Sequence, residues 1–538
     1  MKKIARIKNN CSGMFNEEII QTIMDSRGVK DVEHFLNPTA DDILPYDAMY
    51  RIDEAGQIVC DGIRDGKKFF VNIDSDTDGI SSGTIIVRYL QMLGLTVDWH
   101  VSEGKTHGTS DKLLQKLEQT KSDILIIVDS LDSNLENYKK IKRMGIQTIV
   151  LDHHIVSEDI PYDDYVVLVS SNRKYDNSEL SGSGVVWKFT KYLDSLLGIE
   201  EADNLVDLAG CGIVSDMMDM SETHMENRAI VSFALQNLQN PAMKKIIGGY
   251  EYNSNSYSYS VAPLINASCR YNKNEDAVKA FLADDNKDVL KYMKVLKECK
   301  EKQSEEMAEM LPDIIEQAEE QIDKKMIVVI VETDSGISGL LANQLLSKYK
   351  RPIMVLKEGY AGYSGSCRSI GCGNFKEICD STGLGMFGGH EEAFGVINIY
   401  YNDFDKFREV IEEKLSHIEF TTEIDVDVEV DLADISRDLV DKIKQLDKVS
   451  GQGFKSIKFL IKTDDYEATT MSKGKHLVVN PNTWFKFIKW NSGESMLEEM
   501  EDHAMFGDEL AFVGSLDMGY LGRDFSIRMI VDDIIETN

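Results

Sequence analysis

Cysteine, proline and basic residues are scarce in this sequence of 538 residues. Its 8 cysteines form no CxxC pair and no even-spaced framework, which argues against a disulfide-stabilised secreted domain and for a reduced, cytoplasmic setting. With only 8 prolines there is no proline-rich linker. No run of about eighteen apolar residues occurs and no apolar secretory start follows MKKIARIKNN, so we expect no membrane association.

The charge balance is strongly acidic. Lys and Arg total 59 against 92 Asp and Glu, a formal net charge of −33. A body this acidic argues against a protein that coats duplex DNA non-specifically, because both surfaces are polyanions. Any nucleic-acid site must therefore be a local basic track. The length allows two to four domains, each with its own core.

Metal-binding residue types directly follow three short apolar segments: KKFFVNIDSDTDG, SDILIIVDS and IQTIVLDHH. In open parallel sheets ligands bind outside the carboxyl ends of the strands, so we expect the polar residues to converge on one crevice. They are Asp74, Asp76, Asp78, Asp129, Asp152, His153 and His154. Carboxylates gathered without a cation repel one another and lose ionisation. The sequence therefore predicts a pair of divalent metals and metal-dependent phosphoester hydrolysis.

Two simpler interpretations of DSDTDG remain. An EF-hand calcium loop needs a Glu at its twelfth position and a preceding helix, whereas the twelfth residue from Asp74 is Ile85 and a strand precedes. A solvated acidic turn explains this motif alone equally well. The LDHH motif favours a metal site, because mixed imidazole and carboxylate ligands suit Mn²⁺ better than calcium. Mg²⁺ is the alternative ion.

The alternation of strands and helices predicts four regions. Apolar strands alternate with helices from Lys68 to about Asp216, the pattern of an α/β fold with a parallel sheet. KECKEKQSEEMAEMLPDIIEQAEEQ predicts a long, solvated connecting helix that is interrupted or kinked near Pro312. A second α/β unit starts at MIVVIVE, and alternating strands after about residue 420 predict a small β-barrel. We place the domains at 1–275, 276–324, 325–419 and 420–538.

A basic and aromatic patch lies in the last region. Residues 451–490 contain seven lysines and three acidic residues, with aromatic rings interleaved in WFKFIKW. OB-folds bind single strands with cationic grooves and stacking rings, but alternation equally describes a half-buried strand. We assign the rings of Trp484, Phe485, Phe487 and Trp490 to the core. Only the lysines of this patch, with Lys473, Lys475 and His476, are assigned to DNA.

These motifs resemble the DHH phosphoesterase family, and within it the RecJ group of single-strand-specific 5′ to 3′ exonucleases. The family's first motif is matched by DSDTDG, its second by Asp129, its third by Asp152, His153 and His154, and its fourth by GCGIVSDMM with Asp216. LSGSGVVWK is similar to the family's LSGAG segment. GYSGSCRSIG and FGGHEEAFG are similar to signatures of the companion DHHA1 domain, and FVGSLDMGYLGRDFSIRMIVDDI to a C-terminal OB-fold.

The resemblance implies roles for the metal-binding residues. One metal would be held by Asp74, Asp76 and Asp129, and the other by Asp78, Asp129, His153 and Asp216. His154 would orient or protonate groups around the phosphate, and Asp152 would fix an imidazole tautomer. The alternative for Asp152 is a structural strand cap. Asp219, just beyond the fourth motif, is predicted to be a surface residue.

The resemblance also implies substrate contacts. Arg368 offers a planar guanidinium for a terminal phosphate, with Ser366 and Ser369 beside it. A wall of Gly388, Gly389 and His390 would face it, and Arg270 would meet the strand, although surface or core salt bridges are the alternatives for the arginines. Where the family has an arginine before an HGYGL-like loop, this chain reads SEGKTHGTS, which leaves Lys105. The PRINA arginine is Leu264, and LEPFGxGN is replaced by LDKVSGQGF.

The sequence thus predicts a Mn²⁺-dependent 5′ to 3′ exonuclease that degrades single-stranded DNA to 5′-mononucleotides in recombination, repair or replication. We expect a monomer whose partner is a single strand with a 5′ end, with a single-strand-binding protein or helicase as a further partner. One alternative is a DHH phosphodiesterase for short oligonucleotides or cyclic dinucleotides. Another is a replication scaffold that keeps the fold without activity.

Overall fold

The structure is a computed structural model that describes residues 3–102, 108–249, 252–333, 336–420, 422–521 and 524–537. The chain divides into two compact units. One unit is Lys297–Ile424 together with Met1–Ile4, and the other combines Ala5–Leu296 with Asp425–Asn538. The predicted connecting helix falls on this division at Lys297. Among the described residues, no helix is long and apolar enough to cross a membrane.

The strands are numbered along the chain. They are β1 (Lys3–Asn10), β2 (Phe69–Ile73), β3 (Val97–Val101), β4 (Ile124–Val128), β5 (Gln147–Asp152), β6 (Val167–Ser170), β7 (Ile327–Ile330), β8 (Ile353–Glu358), β9 (Gly362–Arg368), β10 (Met386–Gly389), β11 (Ala393–Tyr400), β12 (Thr422–Glu429), β13 (Phe459–Thr463), β14 (Glu467–Met471), β15 (His476–Asn480), β16 (Phe485–Lys489), β17 (Leu510–Leu521) and β18 (Asp524–Glu536).

The α-helices are numbered in the same way. They are α1 (Asn16–Ser26), α2 (Val32–Leu36), α3 (Ile52–Arg64), α4 (Thr77–Met92), α5 (Asp111–Thr120), α6 (Leu135–Arg143), α7 (Gly182–Leu197), α8 (Val206–Ser215), α9 (Met225–Gln236), α10 (Pro241–Ile247), α11 (Ser254–Ser256), α12 (Ala262–Arg270), α13 (Asn274–Leu282), α14 (Asn286–Glu319), α15 (Ser338–Tyr349), α16 (Phe375–Asp380), α17 (Tyr401–Lys414), α18 (Arg437–Asp447) and α19 (Gly493–Phe506). The 34 residues of α14 include Pro312.

A parallel sheet of five strands, ordered β3-β2-β4-β5-β6, forms the centre of the larger unit. β2 and β4 are buried along their whole length, which explains their unbroken apolar sequences. Val71 pairs with Ile126, and Ile126 with Ile149, so the three motif-bearing strands lie side by side in register. The carboxyl ends of these strands therefore meet at one edge, as predicted.

The smaller unit has a mixed sheet of five strands ordered β10-β11-β9-β8-β7. β7 and β8 are parallel, and the other neighbours are antiparallel. Two apolar clusters cover this sheet, one with α17 residues Phe407 and Ile411 and one with α15 residues Leu341 and Leu345. The α/β class predicted for this region is confirmed.

The C-terminal region forms a sheet of eight strands ordered β1-β12-β13-β17-β18-β16-β15-β14, consistent with the predicted OB-like domain. One member was not predicted: β1, from the start of the chain, lies beside β12. The Cys11 amide donates to the Glu429 carbonyl at 2.8 Å, and Lys8 Nζ pairs with Asp427 at 3.2 Å. This sheet therefore combines a strand from residues 3–10 with strands from residues 422–536.

Candidate metal centre

The first carboxylates lie where β2 meets α4. Asp74 directly follows the strand, and Asp76 caps the helix by accepting a hydrogen bond from the Gly79 amide at 3.0 Å. Asp78 lies in the first turn, so both it and Asp76 sit at the positive end of the helix. Asp74 and Asp78 are each 1% exposed. The strand-to-helix junction thus gathers three carboxylates at one point.

The next two strands contribute one carboxylate and two imidazoles. Asp129 follows β4 with a left-handed φ of 54°, an unusual conformation for a residue with a side chain. His153 and His154 follow β5, which ends at Asp152. His153 Nε2 lies 3.2 Å from Asp129 Oδ1 and 3.9 Å from Asp78 Oδ2. Residues from adjacent strands therefore converge as predicted.

Asp216 completes the cluster from a helix. It is the C-cap residue of α8, and its Oδ2 lies 3.3 Å from His153 Nε2. Three overlapping groups have ligand atoms within 4.8 Å of one another: Asp74 with Asp76 and Asp129; Asp78 with His153 and Asp216; and Asp129 with Asp152, His153 and His154. The first two groups correspond to the two ligand sets expected from the sequence, apart from the shared Asp129.

The electrostatics of this cluster fit divalent cations. Burial raises the pKa of Asp129 well above its ordinary value, and Asp78 and Asp76 raise it further. Burial likewise raises the pKa of Asp216 to about 8, again reinforced by Asp78 and Asp76. Asp129 Oδ1 is buried and accepts no hydrogen bond from the described residues. Carboxylates pressed together in this way regain ionisation when a cation binds, so the donor set suits Mn²⁺ or Mg²⁺.

Two backbone amides that were not predicted hold Asp78. The amides of Gly182 and Ser183, at the start of α7, donate to its two carboxylate oxygens at 2.7 and 3.1 Å. A Cβ atom at Gly182 would lie 2.7 Å from Asp129 Oδ1, so only glycine fits there. The signal was present in LSGSG, because a Ser followed by Gly before an apolar run marks a helix start.

Asp152 orients His154 and also caps the strand. Its Oδ1 lies 2.7 Å from His154 Nδ1 and accepts the backbone amides of His153 and His154 at 2.5 and 2.8 Å. Its other oxygen accepts the Leu131 amide. The hydrogen bond to Asp152 raises the pKa of His154 to about 9, and burial lowers the pKa of His153. Both roles weighed for Asp152 are therefore present in its contacts.

In the smaller unit, Arg368 and Ser366 lie beside the start of α15. Ser366 Oγ is 2.9 Å from Ser338 Oγ, and a Cβ atom at Gly339 would lie 3.0 Å from an Arg368 guanidinium nitrogen. Ser369 does not join them. It is buried, and its amide and hydroxyl both approach the Glu392 carbonyl, at 2.9 and 3.5 Å.

The glycines of FGGH extend the surface around Ser366. Across the sheet, Ser366 pairs with Gly395, and Gly395 pairs with Gly388, so the three share a row. Gly389 has a φ of 128° and precedes the exposed His390. His390 and Gly389 also line a cavity of about 490 Å³ with Lys376.

The remaining predicted substrate residues belong to the larger unit. Arg270 ends α12, the helix whose Asn266 lies 3.0 Å from Thr77 of the first motif. Burial lowers the pKa of Arg270, and its Nε has no hydrogen-bond partner among the described residues. Lys473 and Lys475 are exposed in the turn between β14 and β15. Lys105 lies outside the described residues.

The assignment of all four WFKFIKW rings to the core is half wrong. Phe485 and Phe487 are buried, but Trp484 and Trp490 are 42% and 44% exposed. They stand just before and just after β16, beyond the alternating part of the strand. Trp490 packs edge-on against His476, with ring centroids 4.8 Å apart. Trp490 is therefore available as a stacking surface close to the exposed Lys475.

Comparison with known proteins agrees with this architecture. The family model for the N-terminal domain of the DHH family matches residues 68–228, and the DHHA1 domain model matches residues 323–417. Residues 68–228 are thus similar to the DHH family and residues 323–417 to the DHHA1 domain. The chain is also similar to RecJ in sequence and fold, which confirms the resemblance stated above.

The relatives are distant but extensive. YorK of the SPbeta prophage in Bacillus subtilis, whose name ascribes to it a single-strand DNA-specific exonuclease activity, is 27% identical over 455 residues, covering 76% of this chain and 77% of YorK. RecJ of the same organism, a single-stranded-DNA-specific exonuclease, is 24% identical over 98% of this chain and 69% of its own. The crystal structure of Thermus thermophilus RecJ in complex with Mn²⁺ has a TM-score of 0.77 at 21% identity, covering 100% of this chain and 80% of that one.

Proposed function

We propose that this protein is a Mn²⁺-dependent exonuclease that removes 5′-mononucleotides from single-stranded DNA in the 5′ to 3′ direction. The observation that carries the proposal is the convergence of Asp74, Asp76, Asp78, Asp129, His153 and Asp216, with ligand atoms of two groups each within 4.8 Å. The exonuclease names of the relatives agree with it. A pair of divalent ions there would supply Lewis-acid polarisation of the scissile phosphate and activation of water.

The protein's own residues prepare the site for that chemistry. Asp129 is the carboxylate common to both sides of the cluster, and its left-handed backbone aims it at His153. The α7 amides fix Asp78 in one orientation. Asp152 holds His154 through Nδ1 and so fixes the orientation of its ring. We assign His154 to holding or donating a proton at the phosphate.

Recognition of the strand end is assigned to the DHHA1 domain. Arg368 and the hydroxyls of Ser338 and Ser366 cluster at the first turn of α15, where backbone amides also favour an anion. The glycine row that includes Gly388 lets a strand approach the backbone. A planar guanidinium binds a terminal phosphate with two hydrogen bonds, which would select 5′-phosphorylated ends. His390 would flank this surface.

Strand binding beyond the end is assigned to the C-terminal domain, where Lys473, Lys475 and Trp490 are exposed close together. Arg270, on the helix that touches the first motif, would meet the strand nearer the metals. Because the protein as a whole carries a net charge of −33, the phosphates would be attracted only along this track. Activity is therefore expected to fall steeply with added salt.

The deciding experiment is a nuclease assay on single strands labelled at the 5′ or the 3′ end, with Mn²⁺, with Mg²⁺ and with EDTA. Release of labelled mononucleotide only from the 5′ end, lost on Asp129→Ala, supports the proposal. Faster cleavage of a dinucleotide or cyclic dinucleotide than of a long strand would favour the short-substrate phosphodiesterase instead. If the Asp129→Ala variant keeps its role in replication, the scaffold alternative is favoured. A monomeric, cytoplasmic enzyme working with a single-strand-binding protein or helicase completes the proposal.

A further inference from the structure

The loop after Asp216 is held by the C-terminal domain. Asp216 ends α8, and the next residue, Met217, has a left-handed φ of 57°. The amides of Met217 and Met218 donate back to Val214 and Ile213 at 3.3 and 3.1 Å, the pairing of a Schellman motif. Glycine normally occupies that left-handed position, because a side chain there costs about 1 kcal/mol.

Strained backbone of this kind persists only where the surroundings determine it. Met217 itself is 65% exposed, so its own side chain does not fix the loop. The restraint comes from the next residues, Asp219 and Met220. Asp219 was predicted to be a surface residue, yet its side chain is only 29% exposed and its Oδ1 accepts the Ser221 amide at 2.6 Å.

A tight turn at residues 449–454, the sequence VSGQGF, contacts this loop. The Met220 amide donates to the Gln452 carbonyl at 2.7 Å, which gives a parallel bridge between residues 219 and 452. Gly453 has a φ of 75°, and a Cβ atom there would lie only 2.2 Å from Asp219 Oδ1. A Cβ atom at Gly451 would lie 2.9 Å from Met220 Cγ. The two segments are therefore packed so closely that a side chain at Gly453 would clash with Asp219, and one at Gly451 would displace the Met220 side chain.

Arg228 contacts both of these segments. It is 1% exposed, and its guanidinium donates to the carbonyls of Met220 and Val449 at 3.3 and 2.9 Å. The guanidinium carbon lies 3.6 Å from the centre of the Phe35 ring and 5.3 Å from that of Phe454. A buried cation held by carbonyls and ring faces fixes these groups in one arrangement.

We propose that the 449–454 turn of the C-terminal domain is a positioning element for the metal ligand Asp216, acting through Asp219 and Met220. The inference rests on the proposed metal site. It gives the C-terminal domain a second task besides holding the strand: it keeps the last ligand of the cluster in place.

The test compares two turn glycines of the C-terminal domain in the full-length protein. Gly453→Ala forces a side chain against Asp219. Gly474→Ala is the matched control, because Gly474 also has a left-handed φ, of 85°, and its Cβ would lie 2.4 Å from a carboxylate oxygen, that of Glu494. The readout is calorimetric titration of the metal-free protein with Mn²⁺, which needs no substrate, followed by the Mn²⁺ dependence of nuclease activity.

We expect Gly453→Ala to weaken Mn²⁺ binding by about tenfold or more, in the range seen when groups that orient metal ligands are lost. Gly474→Ala should bind as the wild type does. Adding Asp219→Ala should reduce the effect of Gly453→Ala, because the clashing carboxylate is gone. If Gly453→Ala does not melt cooperatively, Gly451→Ala, which meets only the flexible Met220 side chain, gives the same comparison with a smaller shift.

The outcomes separate this inference from the metal site itself. If Gly453→Ala and Gly474→Ala both bind Mn²⁺ as tightly as the wild type, the positioning role is overturned and the metal site stands. An equal loss in both variants also overturns it, because the effect is then general destabilisation of the domain. A wild-type protein that binds no Mn²⁺ overturns the metal site and this inference together.

Discussion

Replacing Gly182 with alanine should disable the metal centre while leaving the fold intact. A Cβ atom at this position would stand 2.7 Å from Asp129 Oδ1, roughly 0.7 Å inside the ordinary contact limit of 3.4 Å. Asp129 cannot yield easily, because its side chain is 3% exposed and its backbone is already left-handed. The alternative, a shift of the α7 start, would pull the Gly182 amide away from Asp78.

Either movement displaces a metal ligand by several tenths of an ångström. Misplacement of about 1 Å at a catalytic centre costs on the order of 100-fold in rate, so we expect a loss of roughly ten- to 100-fold in kcat/KM. The assay is Mn²⁺-dependent release of mononucleotide from a 5′-labelled strand, paired with a Mn²⁺ titration. Thermal melting should change little, since alanine is the better helix former by about 1 kcal/mol.

The matched control is Gly184→Ala, two residues further along the same helix. Its Cβ would meet a Leu180 methyl group at 2.4 Å, so the clash falls on a buried core side chain that is not a metal ligand. Activity within a few-fold of wild type is expected for this variant. The reasoning is refuted if Gly182→Ala remains fully active, or if Gly184→Ala loses as much activity and Mn²⁺ affinity.

Three further predictions test other parts of the protein. Burial raises the pKa of Asp447 to about 7 from 3.8, so folding stability is lost as pH rises through that interval, by at most about 1.4 kcal/mol per pH unit. In urea unfolding, Asp447→Asn should therefore be more stable than the wild type at pH 8 and not at pH 4. Identical pH profiles for the two proteins would contradict this. Arg368→Lys should reduce the preference for a 5′-phosphate over a 5′-hydroxyl about tenfold or more. Ser369→Ala should not, because Ser369 is buried against Glu392. If Arg368→Lys slows the cleavage of both kinds of strand equally, the assignment is contradicted. Trp490→Ala should raise KM for long strands without lowering the melting temperature, because each stacked base contributes about 1–3 kcal/mol of binding. An equal rise in KM for a dinucleotide would exclude stacking along the strand.

The metal ligands could be predicted because their chemistry is local. Each lies at a strand end that the apolar pattern marks, and parallel strands bring their carboxyl ends together whatever the details of packing. Asp216 is different, since α8 carries it, and it was identified only through the family resemblance. The α7 amides were missed because LSGSG marks a helix start but does not show that this start lies against Asp78.

Other contacts could not be foreseen for physical reasons. In GYSGSCRS, alternation puts Ser366 with Arg368 on one face of the strand and Cys367 with Ser369 on the other. The structure shows that Cys367 and Ser369 are buried, so Ser369 lies on the internal face, away from Arg368. The contact between Asp219 and Gly453 joins residues far apart in the chain, which no short-range pattern reports. The exposed tryptophans flank their strand, so the alternation of burial stops before it reaches them.

The pairing of β1 with β12 affects how the polypeptide is made. β1 is synthesised long before its partner, residues 422–429, and Lys8 meets Asp427 across a separation of 419 residues. Until then its unpaired edge must stay in solution, and contacts of such long range form slowly. Removing β1 would therefore disturb the C-terminal sheet rather than the segment that follows β1 in the sequence.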